Sequence, residues 1–167
     1  MPAAAPPSPA PRIAAGGQRA ILLRPQKLAE LLAQGLDPDQ GSGNHGRYAL
    51  LHLAAEISAL ESIELLIRAG ATLGAIDRTG RFPLSAAASS RDAAAPACMR
   101  ALFRAGARLE SAAEIQRALE SSLLGHPENR EIILDWIHAQ GCLKQRAELA
   151  QATAAGPDAS KAPGPRL

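Results

Sequence analysis

At 167 residues, 47% apolar and 20% charged, the chain has the length of one domain and enough apolar side chain to bury a core, which excludes an intrinsically disordered protein. Alanine supplies 37 residues and Tyr48, Phe82, Phe103 and Trp136 are the aromatics, so the core is expected to be built from small and aliphatic groups. The net charge of +2 lacks the basic excess of a dedicated nucleic-acid binder, and with only Cys98 and Cys142 the chain is not a disulfide scaffold.

Residues 1–17 carry Pro2, Pro6, Pro7, Pro9 and Pro11 among alanines, a composition that reads as a disordered or extended tail. They contain no lysine-flanked apolar stretch of signal-peptide type, and no segment of the chain reaches the ~20 apolar residues that span a bilayer. The expectation is a cytoplasmic chain that does not engage a membrane, with secretion by a non-Sec route left open. Arginine outnumbers lysine 15 to 3, which together with the alanine content points to a GC-rich, bacterial coding sequence.

A domain is expected over 18–145. It opens with a short helix around 18–23 and a better one over 25–34, with Pro25 at the first position, where its missing N–H costs nothing. Leu28, Leu31 and Leu32 stand at i, i+3, i+4 before Gly35, one face of a helix followed by a residue suited to a left-handed C-cap. The same pattern returns three times: Ile63, Leu66, Ile67 before Gly70; Met99, Leu102, Phe103 before Gly106; Ile133, Trp136, Ile137 before Gly141. The four glycines are spaced by 35, 36 and 35 residues. Two stretches are nearly one string, Arg68-Ala69-Gly70-Ala71-Thr72-Leu73 and Arg104-Ala105-Gly106-Ala107-Arg108-Leu109. Upstream of the middle two helices lies a second shared element, Ala49-Leu50-Leu51-His52-Leu53-Ala54-Ala55 and Phe82-Pro83-Leu84-Ser85-Ala86-Ala87-Ala88, offset by 33. Beyond Glu110, Ser111-Ala112-Ala113-Glu114 reads as a capping box that starts a helix with no preceding hairpin. Pro127 opens the last helix, and Gly156-Pro157 would stop any extension of it into the tail expected over 146–167.

A period of 33 to 36 residues with a turn and two antiparallel helices resembles the ankyrin repeat, whose Thr-Pro-Leu-His-x-Ala element corresponds to 49–54 and 82–87. Asp77-Arg78-Thr79-Gly80-Arg81-Phe82-Pro83-Leu84 is similar to the hairpin that leads into that family's inner helix. The resemblance is strongest over 47–109 and covers about three quarters of the chain. It implies an all-α solenoid of about four units, near 18–36, 46–71, 79–107 and 111–142, the outer two acting as caps. Its core is expected from Leu28, Leu31, Leu32, Ile63, Leu66, Ile67, Leu102, Phe103, Ile133 and Ile137, with Leu51 and Leu84 from the inner helices. Trp136 is expected to cover an end of the stack. The departures have consequences. Ala49-Leu50 replaces Thr-Pro in one unit and Ser85 replaces histidine in the next, so hydrogen bonding between units should be incomplete. The first hairpin, 37–48, carries about two extra residues, and three more are inserted among 89–95.

No set of residues carries catalytic chemistry in this reading. The repeat alignment gives His52 and Ser85 equivalent places in successive units, so they do not meet as base and nucleophile, and Ser85 lacks a nucleophile-elbow sequence. The cysteines and histidines lack metal-ligand spacing, Cys98 falls on an apolar face, and Gly41-Ser42-Gly43-Asn44-His45-Gly46 has no terminal Lys-Ser/Thr for a phosphate loop. A non-enzymatic chain without cofactor or metal is expected. Glu61 with Glu64 and Glu128 with Glu131 read as solvated polar faces. Charge is uneven along the chain: +2 for 1–47, −2 for 48–76, +4 for 77–108, −4 for 109–135 and +2 for 136–167.

The resemblance implies binding through hairpin tips and inner helices, the concave face of such a stack. The residues that fall there are Gln40, Asn44, His45, Arg47 and Tyr48 from the first hairpin and Arg78, Thr79 and Arg81 from the second. Glu56, Ile57, Ser89, Ser90 and Arg91 extend the patch along the inner helices. Tyr48 and Arg81 share one repeat position and are of types enriched in interface hot spots, while Phe82 is expected to pack between hairpins. The function expected is that of a monomeric adaptor, or an inhibitor of a partner enzyme, that binds another protein and not nucleic acid. The alternative is a secreted bacterial effector that holds a host target through its repeats.

Overall fold

The computed structural model describes residues 10–41 and 49–154. The described residues fold into eight α-helices and no strand, as expected of an all-α chain: α1 (Gln18–Leu22), α2 (Pro25–Ala33), α3 (Leu50–Glu56), α4 (Leu60–Arg68), α5 (Pro83–Ala88), α6 (Ala95–Arg104), α7 (Ala112–Ser122) and α8 (Pro127–Ala154). None is long and apolar enough to cross a membrane. Contacts divide the chain into two units with the boundary between Ile133 and Leu134.

The first seven helices are of 5 to 11 residues, too short to hold in isolation, so tertiary packing must supply their stability. Within the first unit they form two layers. Helices α1, α3, α5 and α7 pack side by side in one, α2, α4 and α6 in the other, and α1 with α2, α3 with α4 and α5 with α6 pair across them. Proline marks several of the starts, at the first position of α2, α5 and α8 and the second of α6.

Three helices end in the same way. The N–H groups of Gly35, Gly70 and Gly106 donate to Leu32, Ile67 and Phe103 at 3.0 Å, and those of Leu36, Ala71 and Ala107 reach back to Leu31, Leu66 and Leu102 at 2.9 to 3.0 Å. The glycines hold φ of +92°, +88° and +101°. This is the Schellman arrangement, in which only glycine takes the left-handed position without strain. Each time the residue after the glycine is buried. Gly141 departs from the pattern, because α8 runs through it to Ala154. Helix formers Leu143, Lys144 and Gln145 follow after Cys142, and one interior glycine costs a helix only about 1 kcal/mol. The helix therefore reaches past 145, into the segment where a tail was expected.

The core also corrects the sequence-based expectation. Of each i, i+3, i+4 set, the first residue is fully buried in all four helices: Leu28, Ile63, Met99 and Ile133. The second is fully buried in the two middle helices, Leu66 and Leu102, but Leu31 and Trp136 are half-buried. The third, Leu32, Ile67, Phe103 and Ile137, is half-buried throughout. The apolar stripe is thus narrower than a full i, i+3, i+4 face, because an outer helix packs on the inner layer and its lateral neighbours but is open on its far side. Leu51 and Leu84 are buried as expected, as is Cys98. Burial, and then the nearby Asp92 carboxylate, push the Cys98 thiol up to about 11.

The amino-terminal segment differs from an extended tail over its described part. Ile13 is buried and residues Ala15–Gly17 form a 3-10 turn that leads into α1. The Gln40 side chain holds both backbone polar groups of Ile13, accepting from its N–H at 3.1 Å and donating to its carbonyl at 2.5 Å. A glutamine expected to face a partner is therefore part of the scaffold.

Candidate functional site

Asn44, His45, Arg47 and Tyr48 lie outside the described residues. Gln40 is taken up by Ile13, and the remaining residues form two groups toward opposite ends of α5, a helix of six residues and hence ~9 Å of axis. Between them α5 offers no exposed side chain, since all of 83–88 is buried. Polar chemistry is confined to its two ends.

The first group is the hairpin between α4 and α5. Asp77 organises it. The Asp77 carboxylate is buried and its Oδ1 accepts from the N–H of Thr79 at 2.7 Å, the hydroxyl of Thr79 at 2.7 Å and the N–H of Arg81 at 2.9 Å. Its Oδ2 accepts from Arg81 Nε at 3.2 Å. The backbone closes beside it, Asp77 N–H donating to Arg81 at 2.8 Å, and Gly80 makes the turn with φ +75°. Burial alone raises the Asp77 carboxyl, but the hydrogen bonds from Thr79 and Arg81 together take it below the ordinary carboxylate range. Thr79 and Arg81 are thus tied into the hairpin. Arg78 is exposed at its tip and makes no hydrogen bond among the described residues.

His52 joins this hairpin to the preceding unit, with Nε2 3.1 Å from the Arg81 carbonyl. The imidazole is fully buried; burial lowers its pKa, and the Arg81 carbonyl offsets part of that. Ser85, at the equivalent place, does not reach across. Its hydroxyl donates to the Phe82 carbonyl at 2.8 Å and accepts from the Phe82 N–H at 3.1 Å, closing the first turn of its own helix. This is the incomplete bonding that the substitution of serine for histidine implied. Phe82 itself is buried.

The second group lines the turns between paired helices. Glu56 receives Arg19 at 2.7 Å, and Ile57 beside it is half-buried. Ser58, held at φ +52°, a conformation costing a non-glycine residue about 1–2 kcal/mol, donates its hydroxyl to Ser90 at 2.9 Å. The Ser90 carbonyl accepts from His126 N–H at 2.8 Å and Asn129 Nδ2 at 3.1 Å. Ser89 bonds to the Ala86 carbonyl at 2.9 Å, and Arg91, exposed, donates Nε to the Leu124 carbonyl at 2.8 Å. These residues knit one turn to the next. Arg91 keeps an exposed charge at the end of the row, while Glu56 is half-buried and paired with Arg19.

Sequence reasoning missed Asp77 as the centre of the hairpin. An aspartate two residues before a threonine, with glycine following, is an Asx-turn signal that could have marked it. Among the described residues no group of three histidine, cysteine, aspartate or glutamate side chains is placed to hold a metal ion. A scan against protein-family models gives no match for the chain, and a search of the curated proteins gives none either.

Proposed function

We propose that this chain is a non-enzymatic protein-interaction module, an ankyrin-type stack of about four helix pairs. It binds a protein partner through the hairpin end and the inner-helix ends, as an adaptor or as an inhibitor of a partner enzyme. The observation that carries this reading is the threefold recurrence of one helix, one Schellman cap and one buried residue after the glycine at spacings of 35 and 36 residues. Repetition of a unit that buries its apolar side against its neighbours is the hallmark of repeat scaffolds, whose use is binding. Further support comes from His52 and Ser85, the most reactive side-chain types near the hairpin, both of which are buried and bonded to backbone. Arg78 is the side chain best placed to meet a partner.

The test is capture from native lysate on the immobilised full chain, beside Arg78→Glu with an unchanged circular-dichroism spectrum and melt. One protein retained in stoichiometric amount, and lost at least ten-fold with the variant, is the expected result. Equal retention by both moves the binding face away from the hairpin end, and no retained protein in repeated trials overturns the module reading. Arg81→Glu is unsuited to this purpose because it would also break the Asp77 cluster.

A further inference from the structure

Two turns in this protein are built alike. Gln40 N–H donates to the Asp37 carbonyl at 3.0 Å, and Ala75 N–H to the Thr72 carbonyl at 3.4 Å, each turn beginning two residues after its Schellman glycine. Asp39 and Gly74 therefore hold the same place in the two turns. What they do there differs. The Asp39 carboxylate clasps the next unit, accepting from Thr72 N–H at 2.8 Å and from its hydroxyl at 2.6 Å. Thr72 stands two residues after Gly70, and the residue two after Gly106 is Arg108. At the second junction the clasp has lost its acid, because Gly74 has no side chain. Arg108, which would receive it, makes no hydrogen bond through its N–H or its exposed guanidinium among the described residues.

The space left is a groove of about 230 Å³, lined by Leu73, Gly74, Ile76, Phe82 and Arg108 among others. It is open because the chain enters α7 without a third hairpin to cover the second, and Ile76 is 59% exposed on its wall. We propose that this groove is a recognition site for an extended segment of a partner protein carrying an acidic side chain next to an aliphatic one. The partner's carboxylate takes the place at Arg108 that Asp39 fills at Thr72, and its aliphatic neighbour covers Ile76 and Phe82. Arg108 adds to the backbone N–H a guanidinium that makes the bond charge-assisted, the stronger kind. Glu110 and Glu114 also line the groove, and Glu114 already accepts from Glu110 N–H at 2.8 Å. They repel a second acid and so limit the segment to one carboxylate, at Arg108.

The proposal rests on the reading of the chain as a protein-binding module, but its test needs no native partner. The probes are N-acetyl-Asp-Leu-amide and N-acetyl-Asn-Leu-amide, titrated into the full chain and followed by NMR at the Arg108 N–H and the Ile76 methyl groups. The acidic dipeptide is expected to shift both saturably and to bind at least ten-fold more tightly than the amide. Position 74 gives a second, ligand-free arm. A Cβ there meets nothing within 4 Å and Gly74 is not in the left-handed region, so side chains are tolerated. Gly74→Asp restores the clasp within the chain. It should abolish dipeptide binding and raise Tm by ~2–4 °C above Gly74→Ala, the control for glycine's unfolded-state entropy. Gly74→Ala should still bind. Equal binding of the two dipeptides, no shift at Arg108, or a Gly74→Asp variant that melts no higher than Gly74→Ala would each overturn the site. Those failures leave the capture experiment with Arg78→Glu standing, so the groove and the module reading can fail separately.

Discussion

Helices α3 and α5 start from equivalent sequences and hold equivalent places, yet each is joined to the next unit by different means. At α3 the links are side chains of its own helix and the turn after it, His52 to the Arg81 carbonyl and Ser58 to Ser90. After α5 the serine turns back on its own helix, and the link comes from outside the repeat element. Asn129 donates to the Ala88 and Ser90 carbonyls at 3.0 and 3.1 Å, Arg117 donates to the Gly80 carbonyl, and the backbone at Gly125 lies directly against Ala88. The first junction is thus carried by side chains of α3 and the turn after it, the second by residues of the last helices. A hydrogen bond made by one inner helix is absent from the next because other helices supply a bond there instead.

The largest expected effect falls on the packing beneath both junctions. Leu66 is fully buried in α4, and Leu66→Ala should cost about 2–5 kcal/mol. In so few units that loss should appear as one cooperative shift in a urea melt, whereas a melt that splits into two transitions would show the junctions to be uncoupled.

Next comes the second junction alone. A Cβ at Gly125 would stand 2.0 Å from the Ala88 carbonyl oxygen and 2.8 Å from Asn129 Nδ2. Gly125→Ala must therefore push the α7–α8 turn off α5, at about 1–3 kcal/mol by the usual cost of overpacking. Hydrogen exchange should rise at 123–129 and on α5 before it does on α3.

The first junction is distinguished by its response to acid. His52 has its pKa lowered in the folded state, so at neutral pH both states are unprotonated and the group adds no slope. As pH falls below the ordinary histidine value of 6.5, the unfolded chain takes up a proton that the buried imidazole refuses, and stability declines until the lowered folded value is passed. Urea melts between pH 7 and 5 should show this, with the slope reduced in His52→Gln. Asp77, also lowered, contributes stability that is present above 3.8 and disappears only in stronger acid.

The smallest effect belongs to the amino-terminal unit. Gln18 is buried in α1 with neither amide atom hydrogen-bonded among the described residues. Gln18→Met keeps the volume and removes the polar burial, so Tm should rise by an amount equivalent to about 1 kcal/mol.

Much of this was legible before folding. The i, i+3, i+4 leucines and isoleucines before Gly35, Gly70 and Gly106 located three helices and their ends, because amphipathic period and left-handed glycine are local properties of the chain. The capping serine was local as well, and Ser111 Oγ accepts from Glu114 N–H at 3.2 Å, although Glu114 returns its own bond to Glu110. Gly141 shows the limit of such reasoning: the same local signal ended no helix. Among the candidate binding residues, sequence placed Arg78 on a hairpin tip correctly. It could not tell that Gln40 would be spent on Ile13, 27 residues away, since that bond depends on which backbone groups the folded chain brings within reach, whereas the bonds of Thr79 and Arg81 to Asp77 are local and were open to the Asx-turn signal.

What the sequence determined by itself is therefore the recurring local pattern: the amphipathic period of the helices and the left-handed glycine that ends three of them, each fixed by interactions within a few residues. What only the tertiary structure decided is how the units are joined and where they stay open. Asp39 finds Thr72 across 33 residues, Asn129 finds Ala88 across 41 and Arg108 finds no equivalent of Asp39. Such pairings depend on the docking of whole helices, which no local preference encodes.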